Sequence, residues 1–295
     1  MLKENNMNKA RMNLIISMTA FGTIGLFVKN IALSSAKIAL FRSVLASVLI
    51  GIFFVLGKKK LEIGKIKKEL LLLLVSGAAM GFNWIFLFEA YNYTTVSVAT
   101  LSYYFAPVIV TVLCPLIFRE KMGIKEWICF FGSTLGIVMI TGIGDFAEGS
   151  EHMKGIALGL LAALLYATVI ILNKFIKNVE GTERTLFQFL SAAVVLTPYI
   201  AFTEGFSDVS LNLKGSICLL TVGLIHTGIC YILYFSSLSY LPGQKVALLS
   251  YIDPLVAVIC SAFILREDMT LMQIAGGILI LGFTLYNEIG KKEGK

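Results

Sequence analysis

The stretch DPLVAVICSAFILRED, residues 253–268, has the same length and outline as APVIVTVLCPLIFREK, residues 106–121. In both stretches proline stands second, an apolar run follows, and Arg-Glu closes the run. The first position differs, because the earlier copy has Ala106 where the later copy has Asp253. This pattern predicts one helix used twice, with a role for the carboxylate that the two copies do not share.

The composition around this pair indicates a polytopic membrane protein. Hydrophobic residues make up 57% of the 295-residue chain and charged residues 15%, whereas a typical soluble domain has about 25% charged residues. Ten apolar runs have about the length, 18–24 residues, that crosses a lipid bilayer as a helix. We place these runs near residues 13–31, 36–56, 69–91, 96–117, 125–143, 154–173, 184–203, 214–238, 245–265 and 270–289.

The distribution of Lys and Arg predicts the orientation. With the N-terminus in the cytoplasm, 19 of these residues fall on cytoplasmic segments, 5 on outside loops, and Arg42 lies within a span. Positive charge accumulates on the cytoplasmic side of membrane proteins. We therefore expect both termini in the cytoplasm of a bacterial-type cell membrane, and the net charge of +7 indicates topology rather than a nucleic-acid partner.

The chain also repeats itself over most of its length. At an offset of 145 to 147 residues, Gly77 matches Gly223 and Lys29 matches Lys174, and further pairs follow in the Arg-Glu stretches. Each half then holds five spans, the first in residues 1–145 and the second in 152–295. Because five is odd, the second half crosses the membrane upside down. We expect an all-α protein of ten transmembrane helices in two inverted repeats, with a substrate site between the halves near the midplane.

Several motifs resemble those of EamA-type permeases of the drug/metabolite transporter superfamily. They are Phe41-Arg42 early in the second span, the proline-to-Arg-Glu pattern of the fourth and ninth spans, and QIAGGILILG in the last. NWIFLFEAYNYTTVSVATLSYYFAPV, residues 83–108, resembles one bacterial subgroup. The resemblance implies transport of a small metabolite, often export of amino acids or related compounds.

Asp253 is the first candidate site residue. It lies eight residues into its span, so roughly 12 Å deep at 1.5 Å per residue, where a carboxylate costs roughly 2.5–3.5 kcal/mol and normally faces protein or a wet cavity. Pro254 cannot donate a backbone hydrogen bond and frees a carbonyl one turn earlier. Asp253 is expected to bind substrate or a proton, or else to be a structural partner of Arg42 or Lys174.

Three other ionisable side chains lie within spans, and each has two interpretations. Glu89 is either an outer gate or proton-coupling acid, or a solvated residue at the rim. Arg42 either recognises an anion, since guanidinium binds carboxylates bidentately, or pairs with Glu89 or Asp253 as a structural residue. His226 either senses protons or is a hydrogen-bonded core residue.

Aromatic and polar residues supply the remaining candidates. Tyr104 and Tyr251 occupy equivalent positions in the fourth and ninth spans and are expected to line a cavity, next to the helix-breaking residues Pro107 and Pro254. Aromatic residues at helical spacing are otherwise more often packing residues. The further candidates for the wall are Asn83, Trp84 and Tyr166.

Together these features favour a secondary active transporter of a small polar metabolite, with protons as a candidate coupling ion and a facilitative exchanger as the alternative. A polytopic membrane enzyme is a distant alternative, because no catalytic or metal-binding motif joins the buried acids to His226. We expect no enzyme activity, no cofactor and no metal, and a homodimer stays open. The Arg119-Glu120 and Arg266-Glu267 pairs are expected to be solvated helix ends that contribute little.

Overall fold

The structure, a computed structural model, describes residues 2–58, 61–118, 123–140, 149–179, 181–207, 209–238, 240–241, 246 and 249–288. All regular structure within these ranges is helical, and they contain no strand. The first half supplies α1 (Leu2–Val28), α2 (Ser35–Leu56), α3 (Ile63–Tyr93), α4 (Val96–Tyr103), α5 (Ala106–Phe118) and α6 (Ile124–Ile140). The second supplies α7 (Gly149–Phe175), α8 (Gly181–Thr203), α9 (Leu213–Leu220), a π-helical segment (Thr221–Ile229), α10 (Cys230–Leu238), α11 (Ile252–Phe263) and α12 (Leu271–Glu288).

Side-chain caps explain where several helices begin. Ser34 accepts a hydrogen bond from the amide of Lys37 before α2, and Thr95 accepts one from Val98 before α4. Asn212 does the same for Gly215 at the start of α9. Each cap satisfies an amide that the first helical turn leaves without a partner.

Among the described residues, seven helical stretches are long and apolar enough to cross a membrane. They coincide with α1, α2, α3, α4 with most of α5, α7, α8, and the stretch from α9 to α10. Large apolar side chains point outward from the bundle, and Phe202 is 90% exposed. A surface of this kind fits lipid rather than water.

The count of ten spans stays a prediction. The three other predicted spans correspond to α6, α11 and α12, of which α6 has 17 residues and α11 has 12. The description of α6 stops at Ile140. The predicted pair Arg119-Glu120 lies outside the described residues, as does the C-terminal end of the chain from residue 289.

Two spans are interrupted next to a proline. The fourth span stops at Tyr103 and resumes at Ala106, one residue before Pro107. Tyr251 is a turn residue, and α11 begins at Ile252, two residues before Pro254. Proline donates no amide hydrogen and is tolerated in the first turn of a helix, and in both spans the helix restarts so that its proline lies in that first turn.

The helix contacts recur when the two halves are exchanged. α3 packs against α7 and α8, while the stretch from α9 to α10 packs against α1 and α2. α4 packs against α7, while α11 packs against α1. Three further contacts join elements that the sequence repeat makes equivalent, namely α2 with α8, α4 with α11, and α6 with α12.

Glycines permit the close crossings in this arrangement. A Cβ on Gly77 would lie 2.3 Å from the carbonyl oxygen of Gln188 in α8, and one on Gly223 would lie 2.5 Å from Leu45 Cδ1 in α2. Between α6 and α12 the contact is reciprocal. A Cβ on Gly136 would lie 2.7 Å from the carbonyl oxygen of Gly276, and a Cβ on Gly276 would lie 2.5 Å from that of Gly136.

Replacement of Gly136 by alanine is expected to destabilise the protein, because the new methyl group meets backbone that cannot rotate away. Overpacking of this kind costs about 1–3 kcal/mol, and the better helix propensity of alanine offsets about 1 kcal/mol of it. The apparent melting temperature of the detergent-purified protein should fall. Gly282→Ala in α12 is the matched control, since no atom lies within 4 Å of its added Cβ, and it should hold or raise the melting temperature. Equal shifts in both variants would contradict the close crossing.

Candidate functional site

A hydrogen bond between the two halves lies where both interrupted spans meet. Tyr104, in the break between α4 and α5, donates its hydroxyl to Asp253 Oδ2 at 2.5 Å. Asp253 lies in the first turn of α11. Both side chains keep partial exposure, so they border open space rather than closed packing. The two helix breaks thus bring a carboxylate and a phenol together inside the bundle.

Aromatic rings from both halves surround this pair. Tyr103 lies 5.9 Å from Tyr104 and 5.3 Å from Tyr166 of α7, measured between ring centroids. Tyr166 is 37% exposed and therefore presents ring surface to the adjoining space. Tyr231 of α10 lies close enough to Tyr103 and Asp253 to interact with them electrostatically. The carboxylate therefore lies in a neighbourhood of tyrosines from both halves.

Arg42 takes a different set of partners from those that the sequence suggested. Its Nε donates to Thr227 Oγ1 at 2.6 Å, and its guanidinium carbon lies 4.2 Å from the ring centroid of Trp84. No carboxylate of the described residues lies within ion-pair distance of Arg42. The expected pairing with Glu89 or Asp253 is not formed, because α2 packs against α8 and the π-helical segment and carries Arg42 to Thr227.

Tyr103 and Tyr231 lie near both the cation of Arg42 and the carboxylate of Asp253. Both tyrosines lie within electrostatic range of Arg42 and of Asp253. Thr227 uses one of the five N–H donors of the guanidinium, and the structure gives no protein partner to the other four among the described residues. The fixed cation and the fixed anion therefore lie near the same two tyrosines.

His226 lies on the π-helical segment, where it is 3% exposed. Its Nδ1 is 3.1 Å from the carbonyl oxygen of Thr221, and its Nε2 is 2.9 Å from Thr23 Oγ1 in α1. Because a carbonyl only accepts, Nδ1 carries a proton. Its ring also packs against Phe27 at 4.9 Å. These contacts match the interpretation of His226 as a hydrogen-bonded core residue.

Asn83 and Trp84 are both buried in α3 but differ in their contacts. Asn83 donates to the carbonyl oxygen of Ala162 at 2.6 Å and so ties α3 to α7. Trp84 lies between Arg42 and Phe189, whose ring centroid is 5.4 Å away. Asn83 is thus committed to packing, while Trp84 supports the guanidinium.

The remaining candidates lie away from the Asp253–Tyr104 pair or only border it. Glu89 accepts hydrogen bonds from Ser35 at 2.7 Å and Asn92 at 3.3 Å near one end of the bundle. The carbonyl of Pro107 accepts a hydrogen bond from Thr111, which in turn accepts from Asn287 of α12 at 2.8 Å. Pro107 and Thr111 therefore face α6 and α12 rather than the tyrosines. Tyr251 and Pro254 flank Asp253 in sequence.

Sequence reasoning missed Tyr103 and gave Glu267 a role that the structure contradicts. Tyr103 and Tyr104 are adjacent tyrosines close to the predicted helix break. Adjacent side chains at a break point in different directions, so the Tyr-Tyr pair was the signal that could have identified Tyr103. Glu267 accepts from Ser261 Oγ at 2.5 Å and from the backbone amide of Val96 at 2.8 Å, and it pairs with Lys29. Its expected role as a solvated helix end is wrong, since its side chain is only 11% exposed. Within the described ranges, no group of three His, Cys, Asp or Glu side chains could hold a metal ion.

Comparison with known proteins gives a consistent result over both halves. The model of the EamA-like transporter family matches residues 9–142 and again residues 153–287. An uncharacterised transporter of Bacillus subtilis, YxxF, is 32% identical over 288 residues, covering 96% of this chain and 91% of its own. Protein PecM of Dickeya dadantii is 25% identical over 236 residues, which cover 78% of this chain and 76% of PecM. A solved crystal structure superposes with a TM-score of 0.65 at 13% identity, covering 94% of this chain and 96% of its own.

Replacing Thr227 by valine should destabilise the protein, because it removes the acceptor for a buried guanidinium while keeping the side-chain shape. A lost hydrogen bond to a charged group costs about 1.5–3 kcal/mol, and the loss should appear as a lower melting temperature in detergent. Thr197→Val is the matched control, since that exposed hydroxyl bonds only the carbonyl oxygen of Ala193 in its own helix. The assignment of Thr227 as the partner of Arg42 would be wrong if both variants melted at the wild-type temperature.

Proposed function

Because the chain belongs to the EamA-like transporter family, we propose that it is a secondary active transporter of a small polar metabolite, an amino acid or a related compound. The observation that carries this proposal is the Asp253–Tyr104 hydrogen bond between the halves. A carboxylate placed inside an apolar bundle and bordering open space is typical of a substrate or ion pathway. Alternating access would expose it to each side of the membrane in turn.

The proposed architecture is ten transmembrane helices in two inverted five-helix repeats. It is supported by the two separate family matches, 9–142 and 153–287, and by helix contacts that recur when the halves are exchanged. The reciprocal approach of Gly136 and Gly276 also supports it. With the Lys and Arg distribution described above, both termini would lie in the cytoplasm. The proposed direction of transport is export, and this direction rests on the family resemblance alone.

The proposed substrate carries both an ammonium and a carboxylate group. Asp253 would receive the ammonium, and the faces of Tyr103 and Tyr166 would stabilise it by cation–π attraction. Arg42 would receive the carboxylate with the N–H donors that Thr227 does not use. Trp84 and Phe88 hold the guanidinium at 4.2 and 5.5 Å from their ring centroids, so this cation is positioned before the substrate arrives.

Proton coupling would act through the same carboxylate. When Asp253 is protonated it cannot hold an ammonium, so a proton and a substrate would compete for one position, with Tyr104 holding the carboxyl group in place. Glu89 is the less central acid for this role, because Ser35 and Asn92 hold it at the rim.

The test is uptake into proteoliposomes under an imposed pH gradient. A thermal-shift screen of the purified protein against amino acids, amines, sugars and nucleosides first selects the substrate. We expect the gradient to accelerate uptake in wild type. Asp253→Asn should reduce the accelerated rate about tenfold or more, since one hydrogen bond to a charged group is worth about 1.5–3 kcal/mol.

The exposed Asp268 supplies the matched control, and Asp268→Asn should retain the response. If the rate of wild-type uptake were the same with and without the pH gradient, the protein would be a facilitative exchanger instead. Unchanged uptake in Asp253→Asn would exclude this carboxylate from the mechanism. If only neutral sugars or nucleosides raised the melting temperature in the screen, the zwitterionic substrate would be contradicted.

A further inference from the structure

Two consecutive residues of α1 contact two elements of the second half that carry parts of the site. Gly22 packs against the backbone of Asp253 in α11. Thr23 Oγ1 lies 2.9 Å from Nε2 of His226 in the π-helical segment. Because successive residues of a helix point about 100° apart, α1 reaches α11 with one side and the π-helical segment with another. The position of α1 therefore affects both elements at once.

The contact at Gly22 leaves no room for a side chain. A Cβ on Gly22 would lie 2.4 Å from the carbonyl oxygen of Asp253 and 2.6 Å from Val256 Cβ. A backbone carbonyl in a helix cannot rotate away as a flexible side chain can, so α11 keeps this position only against glycine. The carboxylate of the same aspartate is held by the hydroxyl of Tyr104 at 2.5 Å. Gly22 thus fixes the backbone of Asp253, and Tyr104 fixes its carboxylate.

The contact at Thr23 reaches the turn that holds Arg42. His226 Nδ1 bonds the carbonyl oxygen of Thr221 at 3.1 Å, and Thr227 likewise donates its hydroxyl to the carbonyl oxygen five residues before it, at 2.7 Å. These adjacent side chains therefore brace one turn of the π-helical segment. Thr227 Oγ1 also accepts the hydrogen bond from Arg42 Nε at 2.6 Å. Thr23 thus holds, through His226, the turn that carries the partner of the guanidinium.

The other half of the repeat differs at the aligned positions. At the offset of 145 residues Gly22 aligns with Ala167 of α7, and α7 packs against α5 as α1 packs against α11. The first residue of α5 is Ala106, the aligned counterpart of Asp253. The half that lacks the carboxylate therefore also lacks the glycine. This difference favours a role for Gly22 at Asp253 over a role in general helix packing.

We propose that Gly22 and Thr23 set the distance between the carboxylate of Asp253 and the guanidinium of Arg42, and thereby select the length of the substrate. The proposal rests on the zwitterionic substrate proposed above, whose ammonium and carboxylate groups would bind these two charges. A larger side chain at residue 22 would push α11 away from α1 while the π-helical turn stays in place, so the two charges would move apart. Gly22 and Thr23 act through Asp253 and Arg42 and are positioning residues.

Gly22→Ala should shift the preferred substrate toward a longer homologue. The added methyl group has to move α11 outward by about 1 Å to reach an ordinary van der Waals distance from the carbonyl oxygen of Asp253. The probes are glycine, β-alanine, γ-aminobutyrate, δ-aminovalerate and ε-aminocaproate, which differ only in the number of methylene groups between the ammonium and the carboxylate. Since one methylene group changes discrimination by about 10- to 200-fold, the rate for the next longer homologue, relative to that for the wild-type favourite, should rise about tenfold.

The measurement is uptake into proteoliposomes, and the rates are compared as ratios within each variant. The amount of folded protein cancels from such a ratio, so a merely structural effect leaves it unchanged. Gly25→Ala is the matched control on the same helix, because its added Cβ would meet the side chain of Val96 at 2.6 Å and not Asp253. It should keep the wild-type ratios whatever it does to stability.

Thr23→Val provides a second variant that keeps the shape of the side chain and removes the bond to His226. With the turn no longer held, the ratios between neighbouring homologues should shrink at least threefold. Thr23→Ser keeps the hydroxyl and should restore the wild-type ratios. Thr168→Val is the matched control, because Thr168 is the aligned residue of α7 and donates its hydroxyl to the carbonyl oxygen of Leu164 in its own helix.

A distance measurement tests the positioning without any substrate. Spin labels are attached at Ile259→Cys in α11 and Ile225→Cys in the π-helical segment, where the native side chains are 55% and 47% exposed, whereas the five native cysteines are buried. In double electron–electron resonance, Gly22→Ala should lengthen the mean distance between the labels by about 1 Å. Gly25→Ala should leave this distance unchanged, and Thr23→Val should broaden its distribution.

Wild-type uptake ratios in Gly22→Ala would overturn the proposal, as would an unchanged distance between the labels or an equal shift in Gly25→Ala. If Gly22→Ala does not fold, Thr23→Val decides, and wild-type ratios with an unbroadened distance distribution would overturn the proposal. If wild type takes up none of the homologues, the zwitterionic substrate proposed above is wrong, and the distance in Gly22→Ala still decides whether Gly22 positions α11. If wild type takes up a homologue and neither readout shifts, only the role of α1 falls.

Discussion

Polar groups inside an apolar bundle must find their partners within the protein, and this constraint organises the whole molecule. In hydrocarbon, an unsatisfied donor or a lone charge costs several kcal/mol. Four hydrogen bonds of buried or half-buried polar side chains solve the problem in the same way, by crossing the boundary between the halves: Tyr104 with Asp253, Arg42 with Thr227, Thr23 with His226, and Asn83 with the carbonyl of Ala162. The groups that are costly to bury thereby become the specific contacts between two otherwise apolar surfaces.

This arrangement gives the same residues a proposed function and a part in holding the two halves together. A carboxylate that only held the halves together would be expected to pair fully with a cation, yet Asp253 holds a neutral phenol and borders open space. Arg42, the cation that could have neutralised it, stacks on Trp84 instead. The two opposite charges are therefore held by separate partners and not by each other.

Periodicity and composition were sufficient to predict an all-helical membrane protein, because hydropathy reports directly on the lipid environment and all regular structure in the described ranges is helical. The repeat also aligned Gly77 with Gly223, and each of these glycines lies at a close helix crossing. It missed the pairing of Gly136 with Gly276, since that pair is 140 residues apart whereas the earlier spans align at 145 to 147. A shorter connection in the second half shifts the register of the last span, and identity matching at one offset cannot detect it.

The site itself was only half predictable. A carboxylate beside proline in an apolar run is easily recognised, so Asp253 and the adjoining helix breaks could be predicted from the sequence. The partners of Arg42 and Glu267 were not, because they depend on which helices touch, and Thr227 and Ser261 are ordinary residues in sequence. Glu267 in particular follows an apolar run, as a solvated residue would. It is largely buried because the chain after α11 packs against the start of α4, where Val96 donates its amide to Glu267.

The reciprocal crossing of α6 and α12 has an evolutionary consequence. A contact in which each glycine faces the backbone of the other is the kind that two separate copies of one five-helix chain would form about a two-fold axis. If the halves are inverted as proposed above, two chains of half this length, inserted in opposite orientations, would form the same assembly. Fusion of the two genes would then have required a linker but no new interface, and it would have freed each copy to diverge, as Ala106 and Asp253 have done.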